Sequence, residues 1–170
     1  MGLDERRVVR TAVPLAPGGG LYNLGSGYLI ADGLVLTAAH MLEPAEGVAA
    51  RKGQVAEVER IGGEWQQATV AWVDGEKDVA VLSCPGLRAD GTVRWGRLVG
   101  SQPLNWRAVG FPVASFDKDA GRQPEHAFGR TSPISDLGAG RLALTIESRE
   151  AVDEDSPWAG LAAMPWALGV

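Results

Sequence analysis

The chain has 170 residues, of which 45% are hydrophobic and 22% charged, so its composition excludes a disordered protein and predicts one domain or two small lobes. Its formal net charge is -5 and its basic residues form no stripe, which argues against a nucleic-acid partner. The 23 glycines and 10 prolines separate short apolar runs, and this pattern favours an all-β fold with many turns over a helical one.

The first predicted elements are strands that lead to a histidine. Residues 8–14 form a plausible first strand. Residues 28–30 are a short apolar run, and Asp32-Gly33 is a hairpin signal because this pair tolerates the positive φ of a tight turn. Residues 34–36 form the return strand, and His40 stands where the sheet passes into a loop. Binding and catalytic residues are often found at such places.

Further strands are predicted along the rest of the chain. Apolar alternation predicts strands at 54–61, 68–73 and 79–83, with Asp74-Gly75 as a turn, which is enough to close a small barrel. A polar connection follows, in which residues 93–98 could add a short strand. The later strands are expected at 106–111, 126–130 and 142–146, with a turn at 136–140 between the last two.

Two short motifs resemble those of trypsin-like (chymotrypsin-fold) serine proteases of the bacterial type. Residues 36–39 (LTAA) before His40 match the histidine motif, and residues 78–82 (DVAVL) match the motif in which an aspartate leads into a buried apolar strand. The resemblance implies an all-β, chymotrypsin-like double β-barrel. Its first lobe would span residues 1–87, its inter-lobe connection 88–104 and a partial second lobe 105–170.

The same resemblance implies a function. Serine proteases of this family hydrolyse peptide bonds with a histidine base, a carboxylate that holds the imidazole tautomer, and a serine nucleophile. His40 would be the general base and Asp78 the carboxylate, with polypeptide as the substrate or partner. A turn Asp is the competing interpretation of Asp78. No cofactor is expected.

The nucleophile position departs from the family pattern. In the best match, Gly160 takes the position of the oxyanion-hole glycine, and Ala162 takes the position of the serine. Alanine cannot act as a nucleophile. Ser156 is a weak alternative, because Glu154 stands where the family has glycine, and Pro157 restricts Ser156 to extended conformations.

Two functions follow from this departure. Only eight residues follow Ala162, whereas the family's last strands follow the serine, so we expect the second barrel to be incomplete and the chain to be truncated. The first function is therefore a serine endopeptidase domain that is inactive in this form, as a gene fragment or frameshift product would be. The alternative is a non-catalytic pseudoprotease module of the same fold that binds a peptide or protein.

The remaining chemistry of the sequence is sparse. Cys84 is the only cysteine, so no internal disulfide is possible, and a buried thiol is a commoner role for it than a nucleophile beside His40. No group of His, Cys and Asp has metal-ligand spacing, so no metal is expected. The sequence shows no signal peptide and no apolar run that approaches a membrane span, and we expect a cytoplasmic protein without a membrane partner.

Overall fold

The computed structural model describes residues 3–15, 22–45, 47–96, 102–111, 116–117, 121–122, 124–131 and 144–147. Their regular structure consists of β-strands and two short 3-10 helices, Glu5–Arg7 and His40–Leu42, which confirms the all-β class. The strands, in chain order, are β1 (Val8–Pro14), β2 (Tyr22–Ala31), β3 (Leu34–Thr37), β4 (Val55–Arg60), β5 (Gln66–Asp74), β6 (Val79–Ser83), β7 (Leu104–Gly110), β8 (Phe116–Asp117), β9 (Gly121–Arg122), β10 (Glu125–Thr131) and β11 (Leu144–Ile146).

The first six strands close into a barrel in the order β1-β2-β3-β6-β5-β4, with every neighbouring pair antiparallel. Alternate residues along each strand point into the barrel, so the period of two in the sequence becomes an apolar interior. The buried interior residues are Val9, Val13, Leu29, Val35, Ala39, Leu42, Ala56, Val58, Ala68, Val70, Ala80, Leu82, Cys84 and Leu87. Medium and small side chains dominate this set, as the narrow interior of a small barrel requires.

The hairpin at Asp32-Gly33 is present, and Gly33 has the positive φ of 66° that the tight turn needs. Strand β2 begins well before the apolar residues 28–30 from which it was predicted. The earlier part of the strand contains Gly25 and Gly27, which have no side chains, so it lacks the alternation of apolar residues that predicts a strand. A Cβ on Gly27 would lie 2.7 Å from a methyl group of Val35, so the barrel wall needs glycine at this position.

A second, partial sheet follows the barrel, in the order β11-β10-β7, and β8 pairs with β9. Val109 and Phe111, at the end of β7, pack against Val8 of the barrel in one buried cluster. The backbone N–H of Phe111 donates to the Ser26 hydroxyl at 2.9 Å. A closed barrel with a second sheet on its outer face is consistent with the expected chymotrypsin-like fold. The proposed lobe boundaries stay a prediction, and residues 148–170, on which the incompleteness of the second barrel depends, lie outside the described residues.

The connection between the two sheets is irregular in its described part. The prediction of a short strand at 93–98 is wrong for residues 93–96, which form neither strand nor helix. Isolated hydrogen bonds fix this segment instead: the Val93 N–H donates to the Ile30 carbonyl at 2.8 Å, and the Arg7 guanidinium donates to the Asp90 carbonyl at 2.6 Å. The turn predicted at 136–140 lies outside the described residues.

Candidate functional site

The barrel topology brings His40 and Asp78 to the same rim. Strands β3 and β6 are antiparallel neighbours, and Thr37, the last residue of β3, is paired with Ala80. His40 follows Thr37 by three residues, and Asp78 directly precedes Val79, the first residue of β6. Because the end of one antiparallel strand meets the start of its partner, residues distant in sequence become neighbours here.

The carboxylate of Asp78 contacts His40 through both of its oxygens. Oδ2 of Asp78 lies 2.6 Å from Nδ1 of His40, and Oδ1 accepts a hydrogen bond of 2.9 Å from the His40 backbone N–H. Since an ionised carboxylate only accepts hydrogen bonds, Nδ1 carries the proton when the imidazole is neutral, and Nε2 is then the basic nitrogen. The His40 and Asp78 side chains are 46% and 48% exposed, so the pair is open to solvent.

The backbone at Asp78 has an uncommon conformation that fits its position. Its φ is 53°, the one positive value at a non-glycine residue in the described ranges. Aspartate is among the few residue types that tolerate this left-handed region. The preceding turn is closed by Asp74, whose Oδ1 accepts from the Lys77 N–H at 3.1 Å and whose Oδ2 accepts from Lys77 Nζ at 2.7 Å. The hydrogen bond from Lys77 lowers the pKa of Asp74, which keeps this turn-closing carboxylate ionised.

His40 begins a 3-10 helix of three residues whose carbonyl groups are bound by side chains from elsewhere. The His40 carbonyl accepts from Asn23 Nδ2 at 3.3 Å and from the Glu43 N–H at 3.3 Å. The Leu42 carbonyl accepts from Gln54 Nε2 at 2.6 Å. Neither Asn23 nor Gln54 was predicted from the sequence as a site residue. No sequence signal marks Asn23, because the part of β2 in which it lies was not predicted as a strand.

The helix is also seated in the barrel by apolar contacts. Ala38 and Ala39 are buried, as are Met41 and Leu42, which follow His40. A Cβ on Gly25 would lie 2.6 Å from the Met41 methyl group, so the helix rests directly on the bare backbone of β2. Gly25 therefore has a structural role, because the absence of a side chain there lets Met41 lie close to β2.

The family model for the trypsin-like peptidase domain matches residues 25–155 of the chain. The chain belongs to the trypsin-like peptidase domain family. The matched range includes His40 and Asp78. Family membership and the barrel together establish a serine-protease fold.

Solved structures of trypsin-like peptidases share this fold. The Rv3671c protease of M. tuberculosis in its active form matches with a TM-score of 0.56 and 23% identity, over 75% of this chain and 48% of that one. A serine-to-alanine mutant of Rv3671c from M. tuberculosis H37Rv, in an inactive form, matches with a TM-score of 0.52 and 20% identity, over 75% of this chain and 51% of that one. The chain thus spans about half the length of these structures. No curated protein matches it.

The remaining predicted site residues of the peptidase domain lie outside the described residues. These are Gly160, Ala162 and Ser156. The structure therefore brings together two of the predicted residues, His40 and Asp78, and their catalytic roles stay predictions. The assignment of Ala162 to the serine position also stays a prediction.

Cys84 lies in the barrel core of the peptidase domain and is fully buried. Its Sγ is 3.6 Å from the Gln67 carbonyl, and burial raises the pKa of the thiol. A protonated, enclosed thiol is a poor nucleophile, which favours the core interpretation of this residue. Among the described residues, no group of three or more His, Cys, Asp and Glu side chains could hold a metal ion. In the same ranges, none of the helices is long and apolar enough to cross a membrane.

Proposed function

We propose that this chain is a trypsin-like serine endopeptidase domain in which the acid–base half of the catalytic machinery is present and the nucleophile is not. His40 is the general base, and Asp78 is the carboxylate that orients it. The observation that carries the proposal is the double contact between the Asp78 carboxylate and the Nδ1 and backbone N–H of His40. Family membership supports polypeptide as the class of substrate or partner.

The contact suits general-base catalysis in a specific way. With Nδ1 bonded to Asp78, Nε2 of His40 accepts the proton of an attacking hydroxyl, and the carboxylate stabilises the imidazolium that forms. The proton then passes from Nε2 to the leaving amine. The hydroxyl must come from the position of Ala162, whose methyl group cannot attack a carbonyl. We therefore expect no peptide hydrolysis by this chain alone.

A fluorophosphonate probe, which reacts with activated serines, tests the missing nucleophile. We expect the wild-type chain to remain unlabelled, at the same level as Ser156→Ala and as a control substitution on strand β6, Ser83→Ala. Labelling that disappears in Ser156→Ala would assign the nucleophile to Ser156 and overturn the assignment of Ala162. Labelling that persists in Ser156→Ala would show another active serine and would also overturn it.

Proton NMR tests the His40–Asp78 half independently. A proton shared in a short Nδ1–H···Oδ2 hydrogen bond resonates far downfield of the amide region, and we expect such a signal from His40. Asp78→Asn retains the size of the side chain and tolerates the positive φ, so the fold should persist while the signal moves upfield or disappears. A spectrum unchanged by Asp78→Asn would contradict the pairing.

The alternative function is a pseudoprotease module that binds a peptide or protein without cleaving it. Ala162 favours this function, because a binding module needs no nucleophile. Calorimetric titration with a peptide library, combined with cooperative unfolding of the monomer, would support it. A chain that aggregates and binds no peptide would speak against a binding module.

A further inference from the structure

Two side-chain amides hold the carbonyl groups of the 3-10 helix that begins at His40. Asn23 Nδ2 donates to the carbonyl of His40, the first residue of the helix, and Gln54 Nε2 donates to the carbonyl of Leu42, the last. Because each partner is a carbonyl oxygen, the NH₂ group of each amide must face the helix. The two amides come from different parts of the barrel, β2 and the residue just before β4.

The helix needs such support because it is too short to stabilise itself. A single 3-10 turn makes few hydrogen bonds of its own, and its last carbonyls have no partners within the helix. Among the described contacts, the Leu42 N–H donates to the Ala39 carbonyl at 2.9 Å, and the Glu43 N–H donates to the His40 carbonyl at 3.3 Å. The amides of Asn23 and Gln54 supply two hydrogen bonds between the main chain of the helix and the barrel, beside the one from the His40 N–H to Asp78.

Gln54 is itself fixed on both sides. Its Oε1 accepts from the Arg51 N–H at 3.2 Å, and its backbone carbonyl accepts from the Val70 N–H at 2.9 Å. Gln54 therefore links the helix to β5 as well as to the loop before β4. Asn23 is partly buried in β2, two residues before Gly25, on which Met41 rests.

We propose that Asn23 and Gln54 are positioning residues, which fix the main chain of His40 so that its N–H and Nδ1–H both reach Asp78. This inference rests on the proposed role of the His40–Asp78 pair. A catalytic side chain must be held within a fraction of an ångström of its working geometry, and this support usually comes from neighbours that do not touch the substrate. Loosening the helix would therefore weaken both hydrogen bonds from His40 to Asp78.

The test uses Asn23→Leu and Gln54→Met, which retain the approximate size of each side chain and remove its donor. The readouts are solvent exchange of the His40 amide proton and the downfield Nδ1–H signal. We expect exchange to become on the order of 3- to 10-fold faster in each variant, the effect of one lost hydrogen bond. The matched controls Asn105→Leu on β7 and Gln67→Met on β5 are exposed and should leave His40 unchanged.

The outcomes separate this inference from the proposed function. A downfield signal that is lost in Asp78→Asn, together with amide exchange that stays at the wild-type rate in Asn23→Leu and Gln54→Met, overturns the positioning role alone. A downfield Nδ1–H signal that does not change in Asp78→Asn overturns the His40–Asp78 pair, and the positioning role with it. If Asn23→Leu does not fold, Asn23→Asp replaces it, since aspartate retains the shape and polarity of the side chain and removes only the donor. Faster exchange in Asn23→Asp is expected, and exchange at the wild-type rate overturns the role of Asn23.

Discussion

The barrel and the three-stranded sheet differ in how much of their stability they supply themselves. Each barrel strand has two neighbours, and the interior is a continuous apolar core. The described strands β7, β10 and β11 form an open sheet, and Val109 and Phe111 at the end of β7 are buried against Val8 of the barrel. The barrel also carries His40 and Asp78. We conclude that the candidate site depends on the barrel, and that the sheet depends on the barrel for part of its burial.

The largest expected effect comes from a cavity in the barrel core. Leu29 is fully buried there, so Leu29→Ala should lower the free energy of unfolding by about 2–5 kcal/mol. Val109→Ala, at the contact between sheet and barrel, removes two carbons and should cost about 1–2 kcal/mol. Urea unfolding followed by circular dichroism measures both values.

The same two variants also test whether the His40–Asp78 pair depends on the three-stranded sheet. Val109→Ala should retain the downfield His40 signal under native conditions, because no atom of the sheet contacts the His40–Asp78 pair in the described hydrogen bonds. If Val109→Ala destabilised the chain as much as Leu29→Ala, or abolished that signal, the barrel would not be the independent unit described above.

An intermediate effect is expected from overfilling the barrel wall. Gly27→Ala places a Cβ 2.7 Å from Val35 and 3.1 Å from Val9 and Thr11, and these barrel side chains have little room to move. We expect a loss of about 1–3 kcal/mol in unfolding free energy. Gly75→Ala, in the turn before Asp78, is the matched control, since its Cβ would meet no atom within 4 Å. Equal stabilities for the two variants would mean that the wall at Gly27 is loosely packed.

The sequence predicted the part of the candidate site that depends on short-range patterns. Strand β6 matches its predicted bounds, and Asp78 is recognisable because a charged residue directly precedes an apolar strand. His40 is recognisable because residues 36–39 (LTAA) before it resemble the family's histidine motif. Once β3 and β6 are neighbours in a barrel, their contact follows from antiparallel geometry.

The support around His40 could not be predicted in the same way. Asn23 and Gln54 act through single hydrogen bonds to main-chain carbonyls 17 and 12 residues away, and such bonds impose no periodic pattern on the sequence. Strand ends were missed for a related reason. Strand β5 begins at Gln66, before the predicted start at residue 68, because polar residues on the outer face of a barrel do not stand out from a loop.

The smallest expected effect concerns Tyr28, which packs against the cluster that joins barrel and sheet and accepts a hydrogen bond from the Asp4 N–H at 3.2 Å. Burial raises the pKa of the Tyr28 hydroxyl, so above about pH 10 the folded chain retains a proton that the unfolded chain has lost. Wild-type stability should therefore fall as the pH rises through this range.

Tyr28→Phe removes that proton and should make the loss of unfolding free energy between about pH 8 and pH 10.5 smaller than in the wild type. Tyr22→Phe is the control, since Tyr22 is 44% exposed at the start of β2. The Cys84 thiol, whose pKa burial also raises, contributes equally to all three chains and cancels from the comparison. Urea unfolding at the two pH values gives the loss of unfolding free energy for each chain.

Equal pH dependence for Tyr28→Phe and the wild type would mean that water reaches the Tyr28 hydroxyl freely. The contact between barrel and sheet would then be looser than its buried cluster implies.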